Sequence, residues 1–119
     1  MSGKRFEDLP VWKDARKLVK EIFGICRKKS MANQYSFRNH IERTAVSVMA
    51  NIAEGFERQT NKEFRQFLFI AKGSCAEVRS MLYLAADLKL IDELKYQKIY
   101  QLNIQTSRIL AGLIRSLKT

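Results

Sequence analysis

The sequence predicts an all-α protein, an antiparallel up-down-up-down four-helix bundle formed as a single domain over residues 1–119. Three observations predict this fold. Apolar residues recur at helical spacing along nearly the whole chain. Proline occurs once and glycine five times, so the residues that interrupt helices are few. The stretches between the helical patterns are short, and short connections place successive helices antiparallel to each other.

Helices 1 and 2 are predicted over about residues 10–29 and 36–57. Pro10 suits the first turn of helix 1, where a missing backbone N–H costs nothing. Apolar residues then recur at spacings of three and four, which places them on one side of each helix. The expected core stripes are Val11, Ala15, Leu18, Ile22 and Ile25 in helix 1, and Ile41, Ala45, Val48 and Ile52 in helix 2.

Helices 3 and 4 are predicted over about residues 61–88 and 92–118, each behind a capping residue. Thr60 and Glu63 form a capping box, in which the Thr60 hydroxyl serves the Glu63 N–H and Glu63 reaches back. The carboxylate of Asp92 favours a helix start. The expected core stripes are Phe64, Leu68, Ala71, Cys75, Val78, Leu82 and Ala85 in helix 3, and Ile99, Leu102, Thr106, Ile109 and Leu113 in helix 4.

The charge of the chain is strongly positive and unevenly distributed. The chain has 22 lysines and arginines against 12 acidic residues, a formal net charge of +10. Residues 1–29 contain nine basic and four acidic side chains, residues 30–93 eight of each, and residues 94–119 five basic and none acidic. The excess therefore lies on helices 1 and 4, which are neighbours in the predicted bundle and are expected to share one positive face.

This face is predicted to bind a polyanion, either RNA or DNA. A row of lysine and arginine without carboxylates can contact successive phosphates. The alternative is an ordinary solvated helix surface, although such surfaces usually mix both signs of charge. The predicted phosphate-contacting residues are Lys13, Lys17, Lys20, Arg27, Lys98, Arg108 and Arg115.

Helices 2 and 3 carry more apolar residues than one bundle core requires. A helix that is apolar on two sides is buried on two sides, and the second side can meet another subunit. The alternative is one broad core stripe with a few exposed apolar residues. The predicted interface of a homo-oligomer consists of Val46, Met49, Ala53, Phe56, Phe67 and Ile70.

No catalytic, metal or cofactor site is predicted. His40 is the single histidine, and the nearby Glu42 points away from it on a helix. The sequence lacks the Glu-x-x-His pairs of metal sites in bundles and the glycine-rich loops that bind phosphate. Cys26 and Cys75 are expected to be small buried apolar residues. We therefore predict a protein that is not an enzyme and needs no cofactor.

A cytoplasmic location without membrane contact is expected. No stretch approaches the ~18 consecutive apolar residues of a membrane span. Residues 1–10 are polar and mixed in charge, unlike the apolar centre of a secretion signal.

Three segments carry a resemblance to a known family. They are SVMANIAEGFER at residues 47–58, FEDLPVW at residues 6–12 and KEFRQFLFIAKGS at residues 62–74. With them the chain closely resembles the four helix bundle protein family. That family includes proteins encoded in intervening sequences of large-subunit ribosomal RNA genes and the accessory variability determinant of diversity-generating retroelements. The resemblance implies a homopentameric ring and, for the retroelement members, binding of nucleic acid and a reverse transcriptase.

The motif Asn51-Ile-Ala-Glu54-Gly55-Phe-x-Arg58 within the first segment has two interpretations. Glu54 and Arg58 form a favourable acid-to-base pair one helical turn apart. The functional interpretation is a ligand or partner site, and the structural one, which we favour, is a polar network that closes the turn between helices 2 and 3.

The sequence as a whole predicts a basic, self-assembling scaffold that binds nucleic acid, and the resemblance adds a reverse transcriptase as a candidate partner. The alternatives are an adaptor that binds a protein through its basic face and a structural oligomer that binds no nucleic acid.

Overall fold

The computed structural model describes residues 5–119, which form four α-helices. They are α1 (Pro10–Cys26), α2 (Tyr35–Phe56), α3 (Asn61–Asp87) and α4 (Glu93–Ser116). Two short 3-10 helices, Phe6–Asp8 and Lys29–Met31, precede α1 and α2. The all-α four-helix prediction is confirmed, since residues 5–119 contain no strand and each helix ends within three residues of its predicted bounds.

The helices pack as a four-sided bundle in which α1 contacts α2, α2 contacts α3, α3 contacts α4, and α4 contacts α1. Side-chain contacts in three of these pairs match early residues of one helix with late residues of its neighbour. The contacts are Asp14–Gln105 and Glu21–Lys95 for α1 and α4, His40–Glu77 and Ser47–Ser74 for α2 and α3, and Arg65–Ile114 and Arg79–Asn103 for α3 and α4. These three antiparallel relations also make α1 antiparallel to α2.

The core contains the predicted stripes of α1, α2 and α3 in full, because every residue of these three stripes is buried. The predicted stripe of α4 is partly wrong. Ile99 and Thr106 are buried as expected, but the other three predicted positions are replaced by the next residue along, namely Asn103, Leu110 and Ile114, and Tyr96 is buried in addition. Leu102, Ile109 and Leu113 instead pack partly buried at the edge of the core. The polar Asn103 takes the central position because the structure satisfies its hydrogen bonds.

The predicted caps of α3 and α4 are present. The hydroxyl of Thr60 accepts a hydrogen bond of 3.1 Å from the Glu63 N–H, and the carboxylate of Asp92 accepts one of 2.8 Å from the Lys95 N–H. The return arm of the capping box differs from its usual form. The Glu63 carboxylate accepts from the Thr60 hydroxyl at 3.0 Å instead of from a backbone N–H.

Helix α1 is shorter than predicted, because it ends at Cys26 and not at residue 29. The extended backbone of Lys28 ends the helical run, and a short 3-10 turn follows it. This turn buries Met31 completely, so the connection is anchored in the core. At the connection between α3 and α4, which lies at the same end of the bundle, Lys89 adopts a left-handed φ of 59°, and the N–H of Leu90 bonds to the carbonyl oxygen of Ala85 at 2.8 Å.

Candidate nucleic-acid interface

Three of the predicted phosphate-contacting residues form an exposed row on α1. Lys13, Lys17 and Lys20 are exposed on the side of α1 opposite its buried stripe. Within residues 5–119 no carboxylate oxygen lies within 4.0 Å of their ammonium groups, since none of them takes part in a salt bridge. Like charges one turn apart destabilise a helix by about 0.2–0.5 kcal/mol per pair. The repulsion between these lysines is not compensated by an acidic side chain, so a bound anion would reduce it.

The seam between α1 and α4 contains a carboxylate that partly neutralises the predicted face. Glu21 of α1 contacts Lys95 Nζ at 3.3 Å and Lys98 Nζ at 3.4 Å. Burial by itself would raise the pKa of Glu21, but hydrogen bonds and charge from Lys95 and Lys98 together outweigh it and lower the pKa below its usual value. Lys98 is thus bound to an acid of the same chain.

Arg27 lies on another edge of the bundle. Its Nη1 atom is 3.1 Å from a carboxylate oxygen of Glu42 on α2, and its guanidinium lies 5.6 Å from the centre of the Phe23 ring. The structure therefore places Arg27 at the border of α1 and α2, and not beside α4.

Arg108 lines a shallow groove between α3 and α4. The residues that line this α3–α4 groove are Lys72, Arg79, Ile104, Ser107, Arg108 and Ala111. Arg115 is exposed two turns further along α4. The structure thus brings Arg108 together with basic residues of α3, which the sequence interpretation had not included among the phosphate contacts.

The six predicted interface residues differ in how much surface they leave free. Val46 is 38% exposed and Ile70 is 53% exposed. Met49 and Phe56 already pack partly against the core of their own chain. Phe67 is half-buried beneath the Arg58 guanidinium, 4.9 Å from its ring centre, and Ala53 is half-buried. Val46 and Ile70 are therefore the most accessible of the six.

The Asn51 motif closes the contact between α2 and α3. Asn51 Nδ2 donates to the carbonyl oxygen of Ser47 at 2.8 Å and to its hydroxyl at 3.0 Å, and that hydroxyl lies 3.0 Å from the Ser74 hydroxyl on α3. A Cβ atom on Gly55 would lie 2.6 Å from Cβ of Phe67, so the two helices touch at this glycine. The close approach at Gly55 gives the motif a packing role, but the hydrogen bonds of Asn51 lie within α2 and do not form the predicted polar network at the turn between α2 and α3.

Comparison with known families assigns this chain to one of them. The model of the 23S rRNA-intervening sequence protein family matches residues 7–112, which is most of the chain. The chain belongs to this family. The match spans all of α1, α2 and α3 and most of α4, so it includes both the basic residues of α1 and the α3–α4 groove.

A solved structure shares the fold of this 23S rRNA-intervening sequence protein. It is the crystal structure of a protein of unknown function from the S23 ribosomal protein family of Bacteroides thetaiotaomicron. The two chains are 22% identical, and the alignment has a TM-score of 0.80 over 89% of this chain and 99% of the other. At this identity the likeness shows the fold alone. A comparison with curated proteins found no match.

His40 has a carboxylate partner that the sequence interpretation missed. Its Nε2 atom lies 2.5 Å from Glu77 on α3, whereas only Glu42 had been considered from sequence spacing. Both side chains are about half exposed, and they form a polar bridge between α2 and α3.

In the part of the chain that is described, no three His, Cys, Asp or Glu side chains are grouped to hold a metal.

The cysteines are buried as predicted. Cys26 and Cys75 are free thiols with almost no exposed surface. Burial raises the pKa of each thiol to about 12.

None of the helices within residues 5–119 has the length and apolar character needed to cross a membrane.

Proposed function

We propose that this member of the family is a non-enzymatic scaffold that binds nucleic acid through phosphate contacts. The observation that carries the proposal is the set of exposed basic residues on α1 and α4 that have no acidic partner among residues 5–119. There are six of them: the five predicted phosphate contacts Lys13, Lys17, Lys20, Arg108 and Arg115, and in addition Arg16.

Counterion release favours the binding of a polyanion to this surface. A chain with a formal charge of +10 repels itself, and unpaired cations on one helix face add to that cost. When such cations neutralise phosphates, the nucleic acid releases condensed counterions, and this release drives binding. The name of the family links its members to intervening sequences of 23S rRNA, which makes RNA the first ligand to test.

We further propose that the protein self-assembles through α2 and α3. The exposed apolar side chains of Val46 and Ile70 support this proposal, and Leu84 and Leu88 of the α3 region add exposed apolar surface. The resemblance implies a pentamer. Light scattering of the purified protein measures the stoichiometry, and a strictly monomeric protein at micromolar concentration would overturn this part of the proposal.

Charge reversal separates the proposal from the adaptor alternative. In the double variant Lys17→Glu and Arg108→Glu, two exposed cations from α1 and α4 become anions. We expect RNA affinity to fall at least tenfold, because each lost phosphate contact is replaced by repulsion. The control is Lys17→Arg with Arg108→Lys, which keeps both charges. If the reversal leaves RNA affinity unchanged but removes binding to a protein partner, the adaptor function is supported instead.

A reverse transcriptase partner stays a prediction. It requires that the gene lie beside a reverse transcriptase and a variable repeat, and an insertion within a 23S rRNA gene would contradict it. Reading the neighbouring genes tests this directly.

A further inference from the structure

One stripe of α3 carries three basic side chains interspersed with two aromatic ones on the edge that faces α4. Its members are spaced by four and three residues, which places them on a single side of the helix. We call these residues the α3 stripe: Arg65, Phe69, Lys72, Ala76, Arg79 and Tyr83.

Hydrogen bonds to α4 fix the orientation of this stripe. Arg65 Nε donates to the carbonyl oxygen of Ile114 at 3.2 Å, near one end of the stripe. Arg79 Nη1 donates to the Asn103 side chain at 3.0 Å. At the other end the hydroxyl of Tyr83 lies 3.3 Å from that of Tyr100. Lys72 and Arg79 of the stripe line the α3–α4 groove, and Phe69 and Tyr83 lie on the same side of α3 on either side of them.

The groove is positive because α3 separates its charges between two edges. Its lining contains Lys72, Arg79 and Arg108 and no carboxylate. Glu77 of α3 lies on the opposite edge, where it pairs with His40 of α2. The eight acidic and eight basic residues counted in the middle of the chain thus do not neutralise each other at this groove.

The aromatic members of the stripe are available for contact. Phe69 is 50% exposed and Tyr83 is 51% exposed. The Arg65 guanidinium lies 5.2 Å from the Phe69 ring centre, and the Tyr83 ring packs edge-on against Tyr100 with centres 5.8 Å apart. Each ring is therefore held by a neighbour and still leaves about half of its surface to solvent.

Cations interspersed with exposed aromatic rings suit a single strand better than a duplex. Proteins that bind single strands combine a positive groove with aromatic rings on which bases stack. A duplex offers its phosphates, but its base faces are hidden within the helix, so aromatic stacking contributes nothing there. The 18 residue steps from Arg65 to Tyr83 span about 27 Å along α3, which leaves room for several nucleotides.

We propose that the α3 stripe and Arg108 bind single-stranded nucleic acid, with phosphates at Lys72, Arg79 and Arg108 and bases stacked on Phe69 and Tyr83. This inference rests on the proposed function and adds the strandedness of the ligand and the surface that holds it. The carboxylates of Asp87 and Glu93 lie near Tyr96, beyond the Tyr83 end of the stripe. Because they are negative, the positively charged surface ends there.

The test is the affinity of the full chain for a fluorescent oligouridylate of about 16 nucleotides, with a duplex RNA of equal length as comparison. We expect Tyr83→Ala to weaken binding of the single strand by roughly 5- to 150-fold, the effect of losing one stacked base. Tyr83→Phe keeps the ring and should bind within about twofold of the unmodified protein. Duplex affinity should be unaffected by Tyr83→Ala.

Lys72→Ala tests the phosphate contact separately. It should weaken binding and reduce the slope of log affinity against log salt by about 0.7. The matched control is Arg43→Ala, which removes an exposed cation of α2 outside the groove and should leave the slope unchanged. Circular dichroism verifies that each variant keeps its helices.

The outcomes distinguish this inference from the proposed function. If the unmodified protein binds neither RNA, the proposed function fails. If it binds but prefers the duplex, or if Tyr83→Ala and Lys72→Ala bind the single strand normally, only the assignment of the groove is overturned. Loss of self-association in Tyr83→Ala with RNA binding intact would also overturn it.

Discussion

The Nη1 atom of Arg79 donates a hydrogen bond of 3.0 Å to Oδ1 of Asn103, a side chain with no exposed surface. The Nδ2 atom of the same amide donates to the carbonyl oxygen of Cys75 at 3.0 Å. The buried amide therefore connects two turns of α3 to α4. It also holds the guanidinium of Arg79, which lines the α3–α4 groove.

Replacing this amide should destabilise the bundle. We expect Asn103→Ala to lower the free energy of unfolding by about 1–3 kcal/mol, because two buried hydrogen bonds are lost and a small cavity forms. Gln101→Ala, at an exposed position of the same helix, should change it by less than about 0.5 kcal/mol. Urea denaturation followed by circular dichroism measures both. Equal stability of the two variants would contradict the role assigned to Asn103.

Gly55 and Gly73 should respond oppositely to alanine. A Cβ atom on Gly55 would meet Cβ of Phe67 at 2.6 Å and the carbonyl oxygen of Phe64 at 3.3 Å, whereas one on Gly73 would meet no atom within 4 Å. We expect Gly55→Ala to cost about 1–3 kcal/mol through overpacking. Gly73→Ala should stabilise α3 by roughly 0.5–1 kcal/mol, because alanine loses less backbone entropy. Thermal unfolding of both variants tests this, and a stable Gly55→Ala would show that α2 and α3 do not touch there.

The stripes of α1 and α3 could be predicted completely from the sequence, and the stripe of α4 could not. In α3 seven small or apolar residues follow one heptad pattern without interruption. In α4 the central buried position is Asn103, and a polar residue is excluded by any pattern based on hydrophobicity alone. Its burial depends on partners in α3, which only the folded chain brings within reach.

The basic surface was predictable only in part. Counting charges by segment identified α1 and α4, but it gave no net charge for residues 30–93. It could not show that Glu77 faces α2 while Lys72 and Arg79 face α4. Nor could it show that Glu21 binds Lys98. The four-and-three spacing from Arg65 to Tyr83 was a signal present in the sequence that would have identified the α3 stripe.

The Glu21 carboxylate should make a pH-dependent contribution to stability. Its folded-state pKa is lowered, so the contribution is present above the pKa of the unfolded chain and is lost as the pH falls through the folded value. At neutral pH Glu21→Gln should cost up to about 1 kcal/mol, and the difference from the unmodified protein should vanish in strong acid.

A matched variant and a second measurement make the Glu21 prediction specific. Glu54→Gln removes an exposed carboxylate that lies 3.9 Å from Arg58 and should change stability by less than about 0.5 kcal/mol at any pH. Glu21→Gln also releases Lys95 and Lys98, so it should raise RNA affinity at low salt. A variant that is destabilised equally at all pH values would show that Glu21 acts through packing.

The two cysteines should be unreactive in the folded protein. Both thiols are buried, and burial raises the pKa of each to about 12, so the thiolate is scarce at neutral pH. Ellman's reagent should label almost no thiol in the native protein and both Cys26 and Cys75 in denaturant. Rapid labelling of the native protein would mean that α1 or α3 opens locally on the time scale of the assay.

Binding of RNA as a function of salt concentration tests the proposed function most directly. The measurement is the affinity for a fluorescent RNA at a series of monovalent salt concentrations. Contact of at least three phosphates predicts a straight line of log affinity against log salt with a slope of about −2 or steeper. Affinity that does not change with salt, or no binding at the lowest salt concentration, would contradict a role for the basic surface in binding nucleic acid.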